Sequence, residues 1–183
     1  MYPRDITAGP HPESLAVLDR GDPIELTARD VTKYHGTGSP GGVALAFKAM
    51  QRGLPLLEPE GTPERREVAV HTPFDGPGAR DAFELVLRAV TGDRYAVDPS
   101  LERTDLPPTR ARFVFRLSYR DRVVTLTLRE GFVDPEFMDL LGAERTAEQD
   151  ARLTELKREL ADRVMAASAP AAYEAVEAGP ARG

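Results

Sequence analysis

The chain contains no cysteine and no tryptophan. Without a thiol it can build no disulfide, iron–sulfur cluster, cysteine-ligated zinc site or cysteine nucleophile, so its chemistry rests on oxygen, nitrogen and imidazole groups. Imidazole is itself scarce, with three histidines among 183 residues. No run approaches the roughly 20 apolar residues that span a bilayer, and the first twenty residues lack the basic-then-apolar order of a secretory signal. A cytoplasmic protein without membrane contact is expected. Basic residues are in the minority, 24 Lys plus Arg against 30 Asp plus Glu for a net charge of −6, and no basic stripe is interleaved with aromatics. A nucleic-acid partner is therefore not expected. What is present is 41% hydrophobic residues, enough for the core of one domain.

Proline and glycine punctuate the chain, at 16 and 15 residues. They are too dense in residues 1–22 for a long element, and this stretch reads as a surface arm with at most a helical turn near 14–18. A single domain is expected over 23–178, followed by a frayed tail at 179–183. A helix is expected over 25–35, with Thr27 as its cap and Asp30 in the capping-box position. Residues 36–42, Gly-Thr-Gly-Ser-Pro-Gly-Gly, form a loop opening onto a helix marked by Val43, Phe47 and Met50 and stopped by Gly53. Residues 54–64 read as a surface connection and 67–72 as a strand. A second glycine-proline loop, 73–78, opens onto a second apolar helix at 81–90. Residues 112–119 and 123–129 alternate about Arg120-Asp121 as an antiparallel hairpin. A short helix at 135–141 and a long charged one at 146–167, with Leu153, Leu156, Leu160 and Val164 on one stripe, complete the pattern up to Pro170. Arg152, Glu155, Lys157 and Glu159 read as its solvated face. This order of elements predicts an α+β fold.

Gly36-x-Gly38-x-x-Gly41 matches the dinucleotide-binding spacing, but the preceding residues lack the buried strand that motif requires. The weaker physical statement survives: amides after Pro40 lie at the positive end of a helix, where an anion is stabilised. His35 and His71 each end an element just before a glycine-proline loop, whereas His11 falls in the arm. With Asp75 the two imidazoles could hold a divalent metal, or one imidazole could shuttle protons near neutrality. Asp75 has a simpler role open to it as a helix cap. Ser39 is followed by Pro40, which removes the amide an oxyanion hole would use, so a serine hydrolase is not expected.

Residues 30–46, Asp-Val-Thr-Lys-Tyr-His-Gly-Thr-Gly-Ser-Pro-Gly-Gly-Val-Ala-Leu-Ala, resemble the signature of the FmdE-like family of formylmethanofuran dehydrogenase components, an aromatic-His-Gly-His-x-Cys-Pro-Gly loop before a small-residue helix. Residues 75–82 are similar to that family's Asp-Ala-Cys-Gly-Val-Asp-Ala element, and residues 166–174 to its closing stretch. The resemblance implies two loop-to-helix units on a mostly antiparallel sheet, and a homodimer. Thr37 stands where the family has its second histidine, Ser39 where it has cysteine, and Gly78 or Pro77 at the downstream cysteine. Neutral hydroxyls do not replace a thiolate at comparable metal affinity. The expectation is a remodelled pocket between the 36–42 and 73–78 loops, binding a small organic anion or cofactor fragment. In it His35 would exchange protons, Tyr34, Thr37, Ser39 and Gly41 would hold the ligand, and His71 and Asp75 would line the opposite wall. Any metal would fall to His35, His71 and Asp75. The alternative is a noncatalytic, dimerising component of a redox or biosynthetic assembly that docks through helix 146–167.

Overall fold

In the computed structural model, strand β1 (Ser14–Asp19) turns through Arg20 and Gly21, both at positive φ, into the antiparallel strand β2 (Asp22–Thr27). Residues 14–142 and 144–178 are described; residues 1–13 with His11, and 179–183, lie outside the described residues. This hairpin stands where a surface arm and a helical turn were expected. Period-two burial decides it: Leu15 and Val17 are buried and Ala16 between them is exposed, so the domain already includes Ser14. Pro23 is tolerated because β2 is an edge strand of a two-stranded sheet.

The expected cap holds. Helix α1 (Ala28–His35) begins after Thr27, whose N–H donates to Asp30 Oδ2 at 2.9 Å while Asp30 N–H donates to Thr27 Oγ1 at 3.2 Å. Helix α2 (Pro40–Leu57) runs on through Gly53 and places Pro55 in its last turn. Gly53 is therefore no terminator. A Cβ there would stand 2.6 Å from Leu117 Cδ1 and 3.0 Å from Leu126 Cδ1, so its role is to let the helix approach the sheet. Strand β3 (Val68–Thr72), helix α3 (Pro77–Leu87) and the short strand β4 (Tyr95–Val97) form a β-α-β unit with parallel strands. A one-turn helix α4 (Pro108–Ala111) leads to β5 (Val114–Tyr119) and β6 (Arg122–Leu128), the expected hairpin, with Tyr119 opposite Arg122. Then come α5 (Pro135–Leu141), α6 (Ala147–Ala166) with a Thr146–Gln149 capping box, the short α7 (Ala169–Ala172), and a strand β7 (Tyr173–Ala178) that the sequence pattern did not announce.

The main sheet has the order β4-β3-β5-β6-β7 and is antiparallel except at β3–β4. Val70, Leu117, Val124, Leu126 and Tyr173 share its inner face; His71, Arg116 and Thr125 are cross-strand neighbours on the outer one. Helix α2 lies on the inner face, and its residues 41–50 are buried throughout, because α3 and α6 close its other sides. Burying each Leu or Phe side chain contributes about 1.5–3 kcal/mol, so Phe47, Leu45, Phe115 and Leu126 anchor the layers. Tyr173 is fully buried and donates from its hydroxyl to Leu45 O at 3.0 Å, tying β7 to α2. The architecture is α+β with a long helix toward the C-terminus. Among the described residues no helix is long and apolar enough to cross a membrane.

Candidate functional site

The two glycine-proline loops meet. Helix α2 begins at Pro40 behind Ser39 and α3 at Pro77 behind Gly76, and neither receives a side-chain cap. Proline suits the first helical position because its missing N–H would be unpaired there anyway, and the amides that follow carry partial positive charge. Gly76 holds the N-cap position, so Asp75 does not take the capping role open to it in the sequence. The helix heads cross in close contact: a Cβ on Gly42 would stand 3.0 Å from Ala79 N, and one on Gly78 would run into Ser39 O. Only glycine lets both first turns share that space. Thr72 steadies the second loop, donating from Oγ1 to Val114 O at 2.6 Å and accepting from Phe74 N–H at 3.1 Å.

Beside this crossing lies a cleft of about 320 Å³ that Ser39, Gly41, Gly42, Asp75 and Pro77 help to line. Phe74, Phe113, Phe137 and Leu160 make much of its apolar wall, with the Phe74 and Phe113 rings 5.1 Å apart. Two cations also line it, Arg112 from the C-terminal end of α4 and Lys157 from α6. Arg112 Nη2 donates to Pro73 O at 3.4 Å, and among the described residues neither cation has a carboxylate partner. Asp75 is exposed and likewise forms no ion pair among the described residues. Burial, with the Asp75 charge adding to it, pushes the Tyr95 hydroxyl up to about 12.

The structure thus brings together Ser39, Gly41 and Asp75 of the residues singled out in the sequence, and leaves Tyr34, His35, Thr37 and His71 outside the cleft lining. Tyr34 and Thr37 are exposed. His71 is turned away by the pleat of β3: its neighbours Val70 and Thr72 point inward, so it lies on the outer face opposite Arg116. There its charge helps hold the Asp98 carboxyl below the usual range, after the hydrogen bonds from Ser100. His35 is nine-tenths buried, with Nδ1 2.7 Å from Asp81 Oδ2 on α3 and Nε2 buried without a partner. No group of three or more His, Asp or Glu side chains among the described residues is placed to hold a metal ion, so His35, His71 and Asp75 do not assemble as one.

Arg112 and Lys157 are cleft residues that the sequence pattern does not announce. Lys157 reads in the sequence as part of the solvated face of the long helix, yet it follows Leu153 by four residues and precedes Leu160 by three, which puts it at the margin of the buried stripe. A larger groove of about 770 Å³ opens between β1, α2 and the α6–α7 junction. Three of its polar side chains are engaged within the fold: Ser14 Oγ donates to Glu25 Oε1 at 2.5 Å, Gln51 Nε2 donates to Ser14 O at 3.4 Å, and Lys48 Nζ donates to Met165 O at 3.4 Å. The smaller cleft, with Arg112, Lys157 and Asp75 outside any ion pair among the described residues, is the better candidate for a charged ligand. In comparisons with known proteins, the chain matches no family model and no curated protein.

Proposed function

We propose that the protein binds a small organic anion with an apolar body in the cleft at the crossing of α2 and α3, as an FmdE-like chain whose site has been rebuilt without cysteine. One observation carries the reading: Arg112 and Lys157, two cations without carboxylate partners among the described residues, line one cleft beside two uncapped helix heads. Positive charge without a carboxylate partner beside a partly apolar wall favours an anion, because exposed Arg112 and half-buried Lys157 gain a partner and the orphan amides gain an acceptor. The apolar wall of Phe74, Phe113 and Phe137 favours a hydrocarbon body over a bare inorganic ion. In this reading Ser39 and the amide of Gly41 hold the anion, and His35, turned to Asp81, braces α1 on α3. The test is calorimetric titration of 3-phenylpropanoate into the full chain and into a doubly substituted Arg112→Met, Lys157→Met variant. Saturable binding that weakens at least tenfold in the variant is expected. Absence of saturable binding, or equal affinity in both proteins, overturns the reading.

A further inference from the structure

The geometry points to a narrower ligand class for the same cleft: a free α-amino acid with a large apolar side chain. This inference rests on the anion-binding reading and goes beyond it through Asp75. The cleft is lined by charges of both signs, Arg112 and Lys157 against Asp75, yet no ion pair joins Asp75 to either cation. Opposite charges that share an enclosure without meeting are complementary to a ligand that itself carries both. A plain carboxylate satisfies the two cations but brings a like charge toward Asp75. An ammonium group beside that carboxylate turns the same contact into an attraction. The remaining wall, Phe74, Phe113 and Phe137, is apolar and suits a hydrocarbon side chain. The volume, about 320 Å³, lies at the small end of ligand pockets, which fits a single amino acid and excludes a peptide or a nucleotide enclosed as a whole.

The specificity expected is simple. The carboxylate engages Arg112 and Lys157, the ammonium engages Asp75, and the side chain lies against the phenylalanines. Three probes share one skeleton: L-phenylalanine, 3-phenylpropanoate, which lacks the ammonium, and phenethylamine, which lacks the carboxylate. Calorimetry on the full chain is expected to rank phenylalanine at least tenfold tighter than 3-phenylpropanoate, with phenethylamine weakest. Asp75→Asn, at an exposed position where folding is checked by circular dichroism, is expected to weaken phenylalanine about tenfold and leave 3-phenylpropanoate unchanged or tighter. If 3-phenylpropanoate binds as well as phenylalanine, or if Asp75→Asn affects both alike, the amino-acid inference falls while the anion site stands. If neither carboxylate binds, both fall together.

Discussion

Gly78, in the first turn of α3, rests directly on Ser39 at the head of α2: a Cβ on Gly78 would run into the Ser39 carbonyl oxygen and stand 2.9 Å from Val43 N. Both neighbours are backbone, so neither can rotate away. Gly78→Ala is expected to destabilise the fold by about 1–3 kcal/mol through overpacking, and to weaken any cleft ligand by prising the helix heads apart. Gly53→Ala is expected to cost less, because its Cβ would meet the methyl ends of Leu117 and Leu126. Urea denaturation of the two variants checks the order; a reversal would mean that the crossing yields more readily than the sheet contact.

Much of this frame was legible in the sequence, for reasons that differ by element. Strict alternation identified β5 and β6, and the Thr27–Asp30 box marked the start of α1, because both signals are local. Strand β7 was not legible: six residues with burial alternating only at its start become a strand by pairing with β6, far earlier in the chain. Gly53 misled for the same reason, since what it accommodates is Leu117, distant in sequence. At the candidate site the two loops are readable from glycine and proline, whereas Arg112 and Lys157 are not: Arg112 is an exposed charge at the end of a one-turn helix, and Lys157, at the margin of a buried stripe, looks like charge in water until the opposing wall is known.

The pair His35–Asp81 is expected to be structural. The Nδ1 edge of the imidazole meets the Asp81 carboxylate at 2.7 Å, while Nε2 is buried with no partner among the described residues, so the ring's one polar contact is with α3. Asp81→Ala and His35→Ala should each lower stability by about 1–2 kcal/mol, and the double variant should lose less than their sum, since the two side chains serve one contact. A double-mutant cycle by chemical denaturation measures this. Affinity of the cleft for 3-phenylpropanoate should stay within about twofold of the unaltered protein, given that single contacts are worth more than this. Loss of binding in His35→Ala with stability intact would instead assign the imidazole to the ligand.

Glu84 gives the acid limb of stability a specific origin. Its carboxylate is buried, which by itself raises its pKa, but it accepts from the Thr91 hydroxyl and from the N–H groups of Thr91 and Val90, both at 2.9 Å, and these hold it below the ordinary 4.5. A carboxyl with a depressed folded-state value binds its proton more weakly folded than unfolded. Its stabilisation is therefore complete above the ordinary value of 4.5 and is lost as pH falls through the lower folded value. Glu84→Gln should cost about 1–3 kcal/mol at pH 7 and flatten the decline of stability on the acid side of pH 4.5. Denaturation midpoints measured from pH 7 downward test it; parallel curves for the two proteins would place the acid sensitivity elsewhere.

Charge and packing at Lys157 can be separated, and doing so decides what the second cation of the cleft contributes. The residue is half-buried and shares the cleft lining with Leu160, so truncation to alanine removes apolar stem together with the ammonium. Lys157→Met keeps most of the stem and deletes only the charge. If the ammonium binds the ligand, the methionine variant should weaken 3-phenylpropanoate about tenfold with little change in stability, the size of one charge-assisted contact. The neighbouring Arg158→Met removes the same unit of charge from an exposed position outside the cleft lining, and should leave affinity within about twofold. Raising ionic strength should weaken binding in the unaltered protein and in Arg158→Met alike, and less in Lys157→Met, because the screened interaction is already gone. Equal losses from Lys157→Met and Arg158→Met would mean that overall charge attracts the anion without a direct contact from α6.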